Sequence, residues 1–208
     1  MKITAIEPQA RHPGRVNIHV DGVFRLGVAA EVAYDAPLRV GEEVTEALLR
    51  KLEEKDLSWK AREAALNLLS YRPRTVTELR GRLREKGYDE DVVEECVAHL
   101  AERGLVDDAS FAESFIRDRL RFRPRGPQRL LQELRSKGVD WDTARTTVNE
   151  VWEQEEVSEA ELARRVAAKW SPRAGETSLR ARRRLYNLLA RRGFSADTIR
   201  EVVDETLP

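Results

Sequence analysis

Three glycines, Gly87, Gly138 and Gly193, stand in the same local context and lie 51 and 55 residues apart. Each follows a basic residue (Lys86, Lys137, Arg192) and precedes an apolar or aromatic one (Tyr88, Val139, Phe194). Four residues past each stands an aspartate: Asp91, Asp142 and Asp197. Leucines stand four residues before them (Leu83, Leu134, Leu189) and eight before them (Leu79, Leu130, Leu185). Agreement at that many positions is a threefold internal repeat. Leucines one helical turn apart, a cation and then a glycine are the signature of a helix closing on a left-handed residue. Whatever this chain folds into must use that unit three times.

Each repeat resolves into three helices. In the first, Ala61, Ala64, Ala65, Leu68 and Leu69 mark a helix that Arg72-Pro73 ends. Thr75 and Glu78 form a capping box for the second helix, and Asp89 is the expected N-cap of the third. That third helix carries the apolar stripe Val92, Val93, Cys96, Val97 and Leu100. The second repeat follows suit. Phe111, Phe115, Ile116 and Leu120 lie before Arg123-Pro124, then Leu130, Leu131 and Leu134, and then Ala144, Val148, Val151 and Trp152 behind an expected Asp140 cap. The third repeat opens on a capping box at Ser158 and Glu161 and uses Leu162, Val166 and Trp170, then Leu185, Leu188 and Leu189, then Ile199, Val202 and Val203. Its first connection is longer. Pro172 lies 21 residues before its glycine, against 14 for Pro73 and Pro124, which predicts a loop over 171–178.

Residues 1–57 differ. Val16, Ile18 and Val20 alternate with polar residues, Asp21-Gly22 follows, and Phe24, Leu26 and Val28 alternate again. Asp-Gly between alternating runs predicts a β-hairpin, because both turn residues take positive φ. A short helix over 29–34 and a charged helix over 45–56 follow. The expected organisation is a β-hairpin and helix region (1–57) and three three-helix repeats (58–107, 108–156, 157–208). Helices this short cannot bury their stripes alone, so the repeats must stack. The expected fold is mainly all-α, with tandem repeats forming an elongated curved array of few deep pockets.

Composition narrows the function classes. The chain has 37 basic and 37 acidic residues, so strong overall attraction to nucleic acid is excluded while local patches are not. No apolar run is long enough for a membrane helix, and Met1–Ala10 lacks the order of a secretion signal. The single cysteine, Cys96, cannot form an internal disulfide and sits between Val93 and Val97, where core packing is expected. A cytoplasmic protein follows. His12, His19 and His99 are scattered without metal-ligand spacing, no phosphate loop is present, and acidic pairs such as Asp107-Asp108 precede helices. No catalytic residue, metal or cofactor is expected.

Charge is instead segregated. Segment 111–137 has 8 basic and 3 acidic residues, 138–161 has 1 and 8, 162–193 has 10 and 1, and 194–208 has 1 and 4. A solvated helix face is the plain reading of any one block; repeated alternation points to a dipolar surface. Arg121, Arg123, Arg125, Arg129 and Lys137 form one candidate binding cluster, Arg182, Arg183 and Arg184 another, and Arg72 and Arg74 a third. A guanidinium fork suits carboxylate or phosphate, so the clusters fit an acidic protein face or a nucleic-acid backbone. Tyr71 and Phe122, each just before an Arg-Pro turn, are expected in the core, with base stacking as the alternative.

These residues also carry a resemblance. Tyr71-Arg72-Pro73-Arg74-Thr75, Glu78-Leu79, Leu83 and Lys86-Gly87-Tyr88 look like the first repeat of the RecX regulatory proteins. Gly104 to Asp108, Phe111-Ala112, Arg123 to Gly126 and Leu130 to Gly138 continue it, and the likeness spans about 61–208, more loosely in the third repeat. The resemblance implies a non-enzymatic bacterial protein of tandem three-helix repeats, a monomer, that lodges in the groove of the RecA filament. It implies inhibition of RecA's ATP hydrolysis, strand exchange and co-protease action, hence a part in DNA repair and the SOS response, with single- and double-stranded DNA as further partners. The rival expectation is a DNA-binding protein or transcriptional repressor built from three-helix modules.

Overall fold

The structure, a computed structural model, describes residues 1–207; the expected end of the third repeat at Pro208 lies outside them. Contacts divide the chain into two compact units. The first comprises Met1–Arg72 and Leu79–Arg103, the second Pro73–Glu78 and the chain from Gly104 onward.

In the first unit, strands β1 (Ile3–Gln9), β2 (His12–Val20) and β3 (Val23–Ala29) form an antiparallel sheet in that order. The expected hairpin is β2–β3, turning at Asp21 (φ 51°) and Gly22 (φ 83°). Strand β1 is the correction. Its sequence alternates weakly and holds Pro8, which an edge strand tolerates. Ile18, Val20, Leu26 and Val28 point into the core with Ile3. A register shift between Ile18 and His19 leaves Phe24 turned outward and 54% exposed. Helix α1 (Ala30–Tyr34) follows β3, as expected.

Helix α2 (Glu46–Tyr71) covers the sheet with Leu49 and Leu52. It runs 26 residues without a break, so the expected division between 57 and 58 falls inside one helix. Nothing from Asp56 to Lys60 is a helix breaker, and two predicted helices merge. Asp56, buried in mid-helix, accepts 2.8 Å hydrogen bonds from Arg15 and from the Ala29 amide, and pairs with Lys60 at 2.8 Å. One carboxylate thus ties α2 to β2 and to the end of β3.

The remaining elements are α3 (Val76–Glu85), α4 (Glu90–Glu102), α5 (Asp108–Phe122), α6 (Pro127–Ser136), α7 (Trp141–Gln154), α8 (Glu159–Ala167), α9 (Ser178–Arg191) and α10 (Ala196–Thr206). The six repeat leucines, Leu79, Leu83, Leu130, Leu134, Leu185 and Leu189, are all fully buried. Cys96 is buried as expected, and burial raises its thiol pKa. The glycine signature is a Schellman closure in each repeat. The amides of Tyr88, Val139 and Phe194 donate to the carbonyls of Leu83, Leu134 and Leu189, and those of the glycines to Arg84, Arg135 and Ala190. The residue after the glycine folds back, and Val139 and Phe194 are buried. The loop expected over 171–178 lies over 168–177, between α8 and α9, and α9 has 14 residues where α3 and α6 have 10.

Two caps depart from expectation. Asp89 and Ser158 occupy N-cap positions but their side chains make no cap bond. Asp140 caps Thr143 at 2.9 Å as expected. Thr75 keeps its half of the expected capping box, accepting from the Glu78 amide at 3.1 Å, and its hydroxyl also donates to the Lys137 carbonyl at 2.6 Å.

That last bond belongs to a joint used twice in the second unit. At the start of α3, Thr75 and Thr77 donate to the carbonyls of Lys137 and Gly138, at 2.6 and 3.0 Å. At the start of α6, the Gly126 amide donates to the Arg192 carbonyl at 2.9 Å. The closing turn of one repeat therefore receives the second-helix start of the repeat before it. A Cβ on Gly138 would strike Thr77, and one on Gly193 the backbone of Arg129. Repeats two and three share one continuous core from Ala112 to Val203.

Gly193→Ala should therefore cost about 3 kcal/mol, adding a backbone clash to left-handed strain, whereas Gly87→Ala, also left-handed but facing open space, should cost about 1 kcal/mol. Urea denaturation of the two variants measures the difference. Asp56→Ala should destabilise the first unit by about 3 kcal/mol, because it strands Arg15 and the Ala29 amide. Burial raises the Asp56 pKa, but bonds from Arg15, Lys60 and Ala29 outweigh it and hold the folded value below the ordinary one. Its stabilisation is thus complete above about pH 4 and is lost as pH falls through the folded value, which acid titration by circular dichroism checks.

Candidate partner-binding surface

The predicted arginine clusters separate into cations that are neutralised within the fold and cations that are not. Arg119, Arg125 and Arg129 converge on Glu133 at 2.8, 3.2 and 3.1 Å. Burial pushes the Glu133 carboxyl up, but the three guanidinium groups, Arg119 foremost, outweigh it and keep it ionised. Arg129 and Glu133 are one helical turn apart, a spacing visible in the sequence; the convergence of Arg119 and Arg125 is a product of the α5–α6 turn. Lys137 lies over Phe115 and Phe111, 5.5 and 5.8 Å from the ring centroids. Arg74 pairs with Glu78 at 2.6 Å, and Arg72 caps α2 on an exposed turn.

The α9 cluster divides the same way. Arg182 bonds the Leu207 carbonyl and Asp204. Arg184 holds Glu176 and the Ser171 carbonyl at 2.8 Å each and lies 4.7 Å over the Trp170 ring, so it pins the long loop before α9. Arg183 is exposed and has no carboxylate partner among the described residues. Arg121 and Arg123 are likewise exposed without one, Arg121 resting 5.1 Å from the Phe122 ring.

Phe122 and Tyr71 correct the core-packing expectation, being 65% and 78% exposed. Each is the last residue of its helix, where the chain leaves for an Arg-Pro turn and the apolar stripe has ended. Phe122 borders an open cleft of about 230 Å³ in the second unit, with Arg123, Arg165, Lys169, Trp170 and Arg192 around it. Arg165 donates to the carbonyls of Leu120 and Arg121, at 3.1 and 2.8 Å, and Arg192 to that of Pro124 at 3.3 Å. Carbonyls at a helix end orient these guanidinium groups without cancelling their charge. Burial, then the nearby Arg125 charge, lowers the Arg192 pKa. Arg165, Lys169 and Trp170 were not predicted as site residues, since only the fold brings α8 beside the end of α5.

Tandem three-helix repeats behind a small sheet, bearing a cationic and aromatic surface, define a helical-repeat protein. No helix of the described residues is long and apolar enough to cross a membrane. Residues 61–100, 107–148 and 158–203 match the first, second and third three-helix domains of RecX, and 1–45 match the regulatory protein RecX N-terminal domain. The chain is 31% identical over 207 residues to the regulatory protein RecX of Leuconostoc mesenteroides, covering 99% of this chain and 76% of that one. It is 30% identical over 207 residues to that of Clostridioides difficile, covering 99% and 95%. A crystal structure of a regulatory protein RecX superposes with a TM-score of 0.78 at 28% identity, covering 98% of both chains. The chain belongs to the RecX family.

Glu133→Gln should lower stability by about 1 kcal/mol, since three guanidinium groups lose their anion but remain partly solvated. Its folded pKa is depressed, so the wild-type advantage is present above about pH 4 and vanishes as pH falls through the folded value. Paired thermal melts at neutral pH and in acid measure both.

Proposed function

We propose that this chain is a non-enzymatic regulator that binds the RecA nucleoprotein filament and inhibits its ATP hydrolysis, strand exchange and co-protease activity in the bacterial cytoplasm. The observation that carries this reading is the order of four RecX segments along one chain. The surface chemistry supports it. Exposed arginines without internal carboxylates suit an acidic protein face, and several weak contacts on linked repeats add through effective concentration without a reactive centre. The regulator's contacts are Arg121, Arg123 and Arg183 first, because their charge is uncommitted. Arg72, Arg74, Arg125, Arg129, Lys137, Arg182 and Arg184 flank them in the same clusters, and most of these hold the fold as well.

RecA's DNA-dependent ATP hydrolysis, measured with and without the chain, tests this reading. Inhibition is expected, and Arg123→Glu with Arg183→Glu should weaken it about tenfold or more with the thermal melt unchanged. Arg125 and Arg129 are unsuitable for charge reversal, because a carboxylate there would face Glu133. Sequence-specific DNA affinity that falls steeply with salt, without any effect on RecA, would replace the proposal with a DNA-binding protein.

A further inference from the structure

The cleft beside Phe122 differs from the arginine groups that carboxylates neutralise in the second unit. Glu133 neutralises Arg119, Arg125 and Arg129; Glu176 neutralises Arg184; Glu201 and Glu205 hold Arg164 at 2.5 and 2.8 Å. Around the cleft, Arg123, Arg165, Lys169 and Arg192 bring four cations, and no carboxylate lines it. Its apolar lining is Pro124, Val166 and Leu188 with the Phe122 and Trp170 rings.

We propose that this cleft docks an acidic peptide segment that inserts one apolar side chain between Phe122 and Trp170 and lays its carboxylates on Arg123 and Lys169. Charge complementarity selects an anion. Shape and polarity then select the kind of anion. None of the lining side chains is a hydrogen-bond acceptor. A nucleobase would find no side-chain acceptor for its amino groups on this lining, which favours a ligand that needs none. A carboxylate needs only donors, and an apolar anchor needs only the apolar lining. At about 230 Å³ the space is smaller than usual cofactor pockets and fits a side chain of a larger partner. Arg165 and Arg192 are already fixed by backbone carbonyls, so the site is preorganised. The inference rests on the reading above only where it assigns the acidic segment to RecA.

The test uses the full chain and fluorescence anisotropy of labelled peptides. One probe is a short peptide of aspartates and glutamates with a central leucine; a second has alanine in that place. The leucine peptide should bind, and the alanine peptide about tenfold more weakly. Arg123→Glu with Lys169→Glu, both exposed positions, should weaken leucine-peptide binding more than tenfold, while Arg200→Glu, outside the cleft, should not change it. Failure of the leucine peptide to bind, or equal binding by the double variant, overturns the proposal. Tighter binding of an oligothymidylate strand, lost in the same double variant, overturns it in favour of nucleic acid. RecA ATP hydrolysis measured on the same proteins separates the two readings. Peptide binding without any inhibition by the wild type sinks the RecA assignment and leaves the cleft intact. Inhibition kept in full by the double variant removes the cleft from the RecA interaction.

Discussion

The Schellman closure at the end of each second helix is the constraint on which the rest depends. A glycine in the left-handed conformation folds the chain back so that its carbonyls, and those of the cation before it, point away from their own helix. At Lys137, Gly138 and Arg192 those carbonyls become the acceptors for the preceding repeat. One local motif therefore does two jobs, ending a helix and making a joint. The absence of a Cβ matters for both, since a side chain at Gly138 or Gly193 would occupy the place of the neighbour's backbone or threonine.

Charge distribution follows from the same architecture. Helices that end in cations and begin in anions are individually favoured by their dipoles. Once stacked, they bring those opposite charges into reach, and Glu133, Glu176 and Glu201 with Glu205 take up guanidinium groups from elsewhere in the chain. Part of the arginine surplus counted along the sequence is thereby converted into structure. What remains available to a partner includes the arginines of the Arg-Pro turn and Arg183 of α9, where the neighbours are carbonyls, rings or solvent. A zero net charge and a cationic binding surface are compatible for that reason.

The two units use buried charge differently. Asp56 sits within a long helix and fastens it to a sheet, with Arg15, Lys60 and the Ala29 amide satisfying it. Glu133 lies nearer the surface and gathers three arginines of the α5–α6 corner. Asp56 needs its partners in place, because a buried carboxylate is tolerated only when it is paired, whereas Glu133 remains partly in water.

The sequence by itself determined the threefold repeat, the helix boundaries at the glycines, the buried leucine pairs and the Asp21-Gly22 hairpin, because each rests on interactions between residues a few positions apart. It could also place arginines in clusters, since clusters are local in the chain. It did not contain β1, whose edge strand is defined by pairing rather than alternation, or the fusion of two helices into α2, which only the absence of a breaker foreshadowed. Tertiary structure alone decided which arginines are spent on Glu133 and which stay free, that Phe122 and Tyr71 face outward, and that Arg165 and Lys169 join Arg123 across a cleft. The cleft depends on residues some 40 positions apart meeting in space, and charge neutralisation acts through distance in space, for which position along the chain is a poor guide.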